Sequence, residues 1–196
     1  MYAIEHSRAG FILAGGKSTR MGTDKAFLHF QGETLLTRAL RVMSEACGQV
    51  KIVGEPGKFT AMNYASIADI FPGSGPLGAI HAALMCSSFE TNLMLAVDMP
   101  FVSTQLLAFL FSVAAADTAS VTVSRVGGRL QPLCAVYRPD FAAPAEAALR
   151  AGKLKVAAAF AAVKIRVIEE DELEAHGFSA RDFLNMNTPQ DLRNQQ

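Results

Sequence analysis

The amino-acid sequence predicts an α/β fold, a three-layer α/β/α sandwich in which a mostly parallel sheet is covered by helices on both faces. Three observations point to it. Short apolar runs alternate along the chain with longer stretches whose apolar residues recur at helical spacing. Such alternation is the pattern of strand–helix–strand units, which pack helices over both faces of a parallel sheet. At 196 residues, 51% of them apolar, the chain can bury a substantial core. It contains no internal repeat and no linker-like tract, so one domain is expected over residues 1–196.

Taken in order, strands are expected at 9–14, 49–54, 64–68, 92–97, 119–125, 132–138 and 163–168. The first helix is expected from Thr34 to Ala46, where Leu35, Leu36, Ala39, Leu40 and Met43 fall at helical spacing. A second is expected from Pro76 to Cys86, after Gly75, with Pro76 suited to a first helical position. A third runs from Ser103 to Ala114, with Ser103 as the N-cap and Leu106, Leu107, Leu110 and Phe111 toward the core. Residues 139–162 are alanine-rich and mostly helical, interrupted at Pro144 and Gly152. Thr188-Pro189-Gln190-Asp191 reads as an N-cap followed by proline, the opening of a last helix.

Composition excludes several classes. Lys and Arg number 18 and Asp and Glu 18, so the formal charge is zero and no electrostatic case exists for a nucleic-acid or anionic-membrane partner. No stretch approaches the roughly 20 apolar residues that cross a bilayer, and Met1–Arg8 lacks the apolar core of a signal peptide. Cys47, Cys86 and Cys134 are widely spaced, form no Cys-x-x-Cys pair, and are expected as buried thiols in a cytoplasmic protein. His6, His29, His81 and His176 show no metal-ligand spacing.

The chemistry begins at Leu13-Ala14-Gly15-Gly16-Lys17-Ser18-Thr19-Arg20-Met21-Gly22-Thr23-Asp24-Lys25, which follows the apolar run 9–13. Glycines allow a sharp turn and close backbone approach to a ligand, and successive N–H groups suit phosphate oxygens. Lys17, Arg20 and Lys25 add cations. Two familiar phosphate loops are excluded. A Walker A loop would need glycine at position 11, which is Phe11, and a dinucleotide Gly-x-Gly-x-x-Gly is absent because Gly15 and Gly16 are adjacent. Asp98 ends the apolar run 92–97, where a carboxylate faces the ligand crevice of an open parallel sheet; it suits Mg²⁺ or a cap for the following helix. Asp69, after the run 64–68, suits a ligand contact or a cap of the Pro72–Pro76 turn. Asn185 and Asn187 lie in a pre-helix turn, and Lys153 and Lys155 on a stretch that solvation alone explains.

The loop resembles the signature of nucleotidyltransferases with a Rossmann-like domain, and in detail the molybdenum cofactor guanylyltransferases, the MobA family. Asp69, Gly75-Pro76-Leu77-Gly78, Val97-Asp98-Met99-Pro100 and Asn185-Met186-Asn187-Thr188-Pro189 follow in family order. The resemblance implies GTP and molybdopterin cofactor as substrates, Mg²⁺ as cofactor, and transient contact with other molybdenum cofactor biosynthesis or acceptor proteins. It implies Arg20, Lys25 and Asp98 as catalytic residues, Asp98 also as the metal ligand. Leu13, Ala14, Gly15, Lys25, Asp69 and Asp98 would bind nucleotide. Asn185 and Asn187 would contact the second substrate, joined by Lys153 and Lys155. One departure stands out: where the family often carries Asn after the second strand, this chain has Gly54 followed by Glu55. A cytidylyltransferase for the same cofactor, a transferase for another small phosphate, and an inactive nucleotide-binding module remain alternatives at this point.

Overall fold

The computed structural model describes residues 8–15, 24–59 and 64–186. Along the chain, β1 (Arg8–Leu13) precedes a hairpin of β2 (His29–Phe30) and β3 (Glu33–Thr34), followed by α1 (Leu35–Ala46), β4 (Gln49–Val53) and β5 (Ser66–Ile67). Then come α2 (Gly75–Met85), β6 (Thr91–Ala96), α3 (Thr104–Ala115), β7 (Val121–Val126) and β8 (Arg129–Tyr137). The remaining elements are α4 (Ala142–Arg150), α5 (Ala157–Phe160), β9 (Ile165–Ile168) and α6 (Glu170–Ala175). A 7-stranded sheet has the order β5-β4-β1-β6-β8-β7-β9. In it β8 runs antiparallel to both neighbours, while the other pairings are parallel.

Strand side chains alternate between two faces, and each face feeds its own core. Ile12, Leu93, Leu95 and Val136 pack with α1 and α3, where Leu36, Leu40, Met43, Leu106 and Leu110 are buried. Phe11, Leu13, Met94 and Tyr137 pack on the other face with α2, α4 and α5 through Leu77, Ile80, Leu149 and Phe160. Each such Leu, Ile or Phe contributes about 1.5–3 kcal/mol by leaving water. Close packing of α1 on β1 depends on Gly10, because a Cβ there would lie 2.3 Å from Cγ and Sδ of Met43.

The seven expected strands are present, within a few residues at their ends. Thr34 caps α1, its side chain accepting from Thr37 N, and Ser103 caps α3, accepting from Leu106 N. Three features differ from expectation. In the 139–162 region the break expected at Gly152 is present (φ 70) between α4 and α5, but Pro144 does not interrupt: α4 runs through it in its first turn, where proline's missing N–H costs no helix hydrogen bond, and Pro139–Phe141 forms a 3₁₀ turn ahead of it. The β2–β3 hairpin and α6 were not anticipated; the hairpin's strands have 2 residues each, too short for an alternation to register. Cys86 is exposed at the end of α2, whereas Cys47 and Cys134 are buried. Burial pushes those two thiols up to about 12, which keeps them protonated near neutral pH. The helix expected after Thr188 lies outside the described residues.

Candidate active site

β1 lies between β4 and β6, with α1 on one face and α2 on the other, so the connections diverge at β1 and open a crevice at its carboxyl end. Backbone hydrogen bonds carry the chain past the strand ends in register. Ala14 N donates to Val53 O at 2.9 Å, Gly54 N to Ile67 O at 2.9 Å, and Val97 N to Leu13 O at 3.2 Å. Leu13, Ala14, Gly15, Gly54, Asp69 and Asp98 therefore share one edge of the sheet. Leu13 and Ala14 are buried and Gly15 is exposed.

Asp98 stands beyond β6 and Lys25 in the turn Lys25–Phe27, and Lys25 Nζ lies 3.4 Å from Asp98 Oδ2. The two side chains retain 25% and 19% of their exposure, so the pair is partly open to a ligand. The cap of α3 is supplied by Ser103, and Asp98 turns instead toward Lys25. Its backbone is held by the C-terminal segment, Met186 N donating to Asp98 O at 2.8 Å. That contact brings the exposed Asn185 beside the Asp98 loop.

Lys25 is set by its own neighbours. Asp24 Oδ1 accepts from Ala26 N at 2.9 Å and closes the turn, while Asp24 Oδ2 pairs with Lys58. Phe27 and Phe59 stack with centroids 6.2 Å apart, which docks this turn on the segment after β4. Phe59 also explains Gly54: a Cβ at that position would lie 2.8 Å from Phe59 Cε2. In this chain a buried ring occupies the space that an asparagine side chain would need.

Asp69 Oδ1 is buried and has no hydrogen-bond partner among the described residues. Burial raises its pKa above the ordinary carboxylate value. A carboxylate oxygen left this way caps no turn among the described residues and is costly to keep without a donor. Just beyond it, Gly73 and Gly75 take positive φ (79° and 65°), turning the chain into α2.

Arg20 and Asn187, like Gly16, Lys17 and Gly22, lie outside the described residues. Lys153 and Lys155 are exposed in the turn between α4 and α5. Arg38, Phe59 and Met186 frame the site without having been singled out from sequence. Only Met186 lay within a recognised motif; Arg38 and Phe59 are recognisable only from what they touch. A groove of about 540 Å³ between α3 and α6, lined by Phe109, Asp117, Arg166 and His176 among others, is separate from this edge. Its charges are already paired, Arg166 with Glu172 and Asp117 with Lys164.

The mostly parallel sheet covered by helices, open at β1 where Lys25 and Asp98 meet, has the nucleotide-diphospho-sugar transferase fold, and the chain is a nucleotidyltransferase. A family model described as MobA-like NTP transferase domain matches residues 10–167, and the chain belongs to that family. It is 37% identical to a probable molybdenum cofactor guanylyltransferase of Pelotomaculum thermopropionicum, over 93% of this chain and 89% of the relative. Identity to the probable molybdenum cofactor guanylyltransferase of Chloroflexus aggregans is 35%, over 94% and 91%. Among solved structures, molybdopterin-guanine dinucleotide biosynthesis protein A from Archaeoglobus fulgidus superposes with a TM-score of 0.82 at 25% identity, covering 95% of each chain. The fold extends to 2-C-methyl-D-erythritol 4-phosphate cytidylyltransferase from Thermus thermophilus, with a TM-score of 0.67 at 19% identity over 94% and 95% of the chains.

Proposed function

We propose that the protein transfers GMP from GTP to the terminal phosphate of molybdopterin, forming molybdopterin guanine dinucleotide and releasing pyrophosphate. The approach of Lys25 to Asp98 at the mouth of the parallel sheet carries this reading, and the names of the relatives supply the substrates. A phosphate monoester has its second pKa near ~6, so the attacking oxygen is already largely anionic at neutral pH. No general base is then required. The protein has to place the nucleophile in line with the α-phosphorus and offset the charge that gathers there.

Leu13, Ala14 and Gly15 would supply the backbone wall along the nucleotide. The Lys25 ammonium would neutralise the α-phosphate and the departing pyrophosphate, with Arg20 as the expected second cation. The unpartnered oxygen of Asp69 offers an acceptor to the nucleotide's N–H or O–H donors. Asn185, held next to the Asp98 loop through Met186, would face the second substrate together with Asn187.

Mg²⁺ fits the donor chemistry. Asp98 presents a partly open carboxylate, a hard oxygen donor, at the edge where phosphates would lie. This ion takes one or two protein carboxylates and fills its remaining positions with phosphate oxygens and water. Asp98 would hold it, and when bound it supplies further charge neutralisation on the phosphates.

Titration of GTP, CTP, ATP and UTP into the protein with and without Mg²⁺, followed by assay of GMP transfer to molybdopterin, tests the proposal. GTP binding selective over the other nucleotides and strengthened by Mg²⁺, with dinucleotide formation, is expected. Preference for CTP would move the enzyme to cytidylyl transfer, and failure to form either dinucleotide would end the reading.

A further inference from the structure

We propose, building on Lys25 and Asp98 as the catalytic pair, that Arg38 is a positioning residue which joins the two limbs carrying that pair and sets their separation. Arg38 lies on α1 and reaches in two directions. Its Nε donates to Pro100 O at 2.5 Å, two residues beyond Asp98 in the same loop. Its Nη1 donates to Glu33 Oε1 at 3.1 Å, on the exit strand of the β2–β3 hairpin. The guanidinium also lies over the Phe30 ring, 5.8 Å from its centroid, and Phe30 meets Phe101 edge-on at 5.5 Å.

Lys25 belongs to the hairpin side of this joint. Its turn runs through Leu28 into β2, and Leu35 N donates to Leu28 O at 2.9 Å, fastening the turn to the start of α1. Asp98 belongs to the other side, in the loop that continues to Pro100 and Phe101. Arg38 thus bridges the Lys25 block and the Asp98 loop, a second link between the two segments that the Lys25–Asp98 contact joins.

An ordinary surface ion pair would account for little of this, since exposed pairs contribute only about 0–1 kcal/mol. The Arg38 side chain is 23% exposed, and one of its two hydrogen bonds goes to a backbone carbonyl. Glu33 is fixed in turn by Arg41, whose Nη2 donates to Oε1 at 2.7 Å. That hydrogen bond, with a further one from Arg38, holds the Glu33 carboxyl below its ordinary pKa. A planar guanidinium can donate along two fixed directions at once, which a lysine ammonium on a flexible stem does not reproduce.

The test compares Arg38→Ala, Arg38→Lys and Glu33→Gln with the parent protein in GMP transfer from GTP to molybdopterin. It reads kcat, KM for GTP and the Mg²⁺ concentration at half-maximal rate, alongside Mg²⁺-free GTP binding and thermal melting. Arg38→Ala should lower kcat about 10–100-fold, the scale of a ~1 Å misplacement of reacting groups. The Mg²⁺ requirement should rise, with GTP binding and its KM changed less than about threefold. Arg38→Lys should restore part of kcat, and Glu33→Gln should show the same pattern more weakly. If Arg38→Ala does not fold, the two milder variants decide the matter. Parental kcat and Mg²⁺ requirement in those variants, or parallel losses of kcat and Mg²⁺-free GTP binding, would overturn the proposal. Asp98→Asn separates the two levels: parental turnover in that variant defeats the catalytic pair itself, whereas a large loss there with unaffected Arg38 variants defeats only the role of Arg38.

Discussion

The backbone N–H of Met186 donates to the carbonyl oxygen of Asp98 at 2.8 Å, fastening the segment that carries Asn185 to the loop that carries the central carboxylate. Met186 and Phe183 are themselves buried in the core formed by α1 and α3. The loop after β6 is therefore fixed from one side by this amide and from another by Arg38, while its side chain faces Lys25. Such rigidity suits a reaction whose catalysis consists of placement and fixed charge.

Lys25→Ala is expected to reduce kcat for GMP transfer by about 2–4 kcal/mol of transition-state stabilisation, as for other preorganised charge donors. Affinity for GTP should change much less. Steady-state kinetics with direct nucleotide titration checks this; normal turnover with weakened binding would show Lys25 to be a binding residue alone.

Asp69→Asn should move stability and function in opposite directions. The Asp69 carboxyl has its pKa raised by burial, so the folded protein holds more protons than the unfolded chain just above the ordinary value of 3.8. Its contribution to stability then falls as pH rises through that range and is unfavourable at neutral pH. Removing the charge should raise the melting temperature at neutral pH. GTP affinity should drop about 10–100-fold, the scale of a lost hydrogen bond to a charged group. A lowered melting temperature with intact GTP affinity would contradict both halves.

Gly54→Asn is expected to destabilise the protein by about 1–3 kcal/mol through overpacking, because the new Cβ meets the Phe59 ring at 2.8 Å. Phe59→Ala in the same chain should relieve the clash, so the double variant should lose less than the sum of the two single losses. Denaturant unfolding of the four proteins measures the coupling. Additive losses would mean that Phe59 is not what limits position 54.

His81 supplies a pH dependence. It is 2% exposed, and neither ring nitrogen has a hydrogen-bond partner among the described residues. Burial lowers its pKa below 6.5, opposed by Glu146 and reinforced by Arg150. The folded state therefore binds fewer protons than the unfolded state, and stability that is complete above that value declines as pH falls toward the lowered one. His81→Leu should flatten the stability curve as pH falls through and below the ordinary value of 6.5. Urea unfolding across that range decides it, and identical slopes for the two proteins would refute the assignment.

Asp69 shows how far sequence could go at the site. Its place after an apolar run put it at the sheet's carboxyl edge, but cap and ligand contact looked alike until the orphaned oxygen was visible. Gly54 shows the opposite case. It read as a missing contact, and only the Phe59 ring, close in sequence but folded back over the strand end, supplies the reason.

By itself the sequence determined the strand–helix alternation, the cap Ser103, the core faces of α1 and α3, and the set of candidate residues at the strand ends. These are local properties: periodicity, turn chemistry and capping act over a few residues. The tertiary structure alone decided the strand order with β8 antiparallel, the short β2–β3 hairpin, the meeting of Lys25 with Asp98, and the bridging place of Arg38. Those features join segments far apart in the chain, and their energies depend on burial and direction, which composition and spacing do not contain.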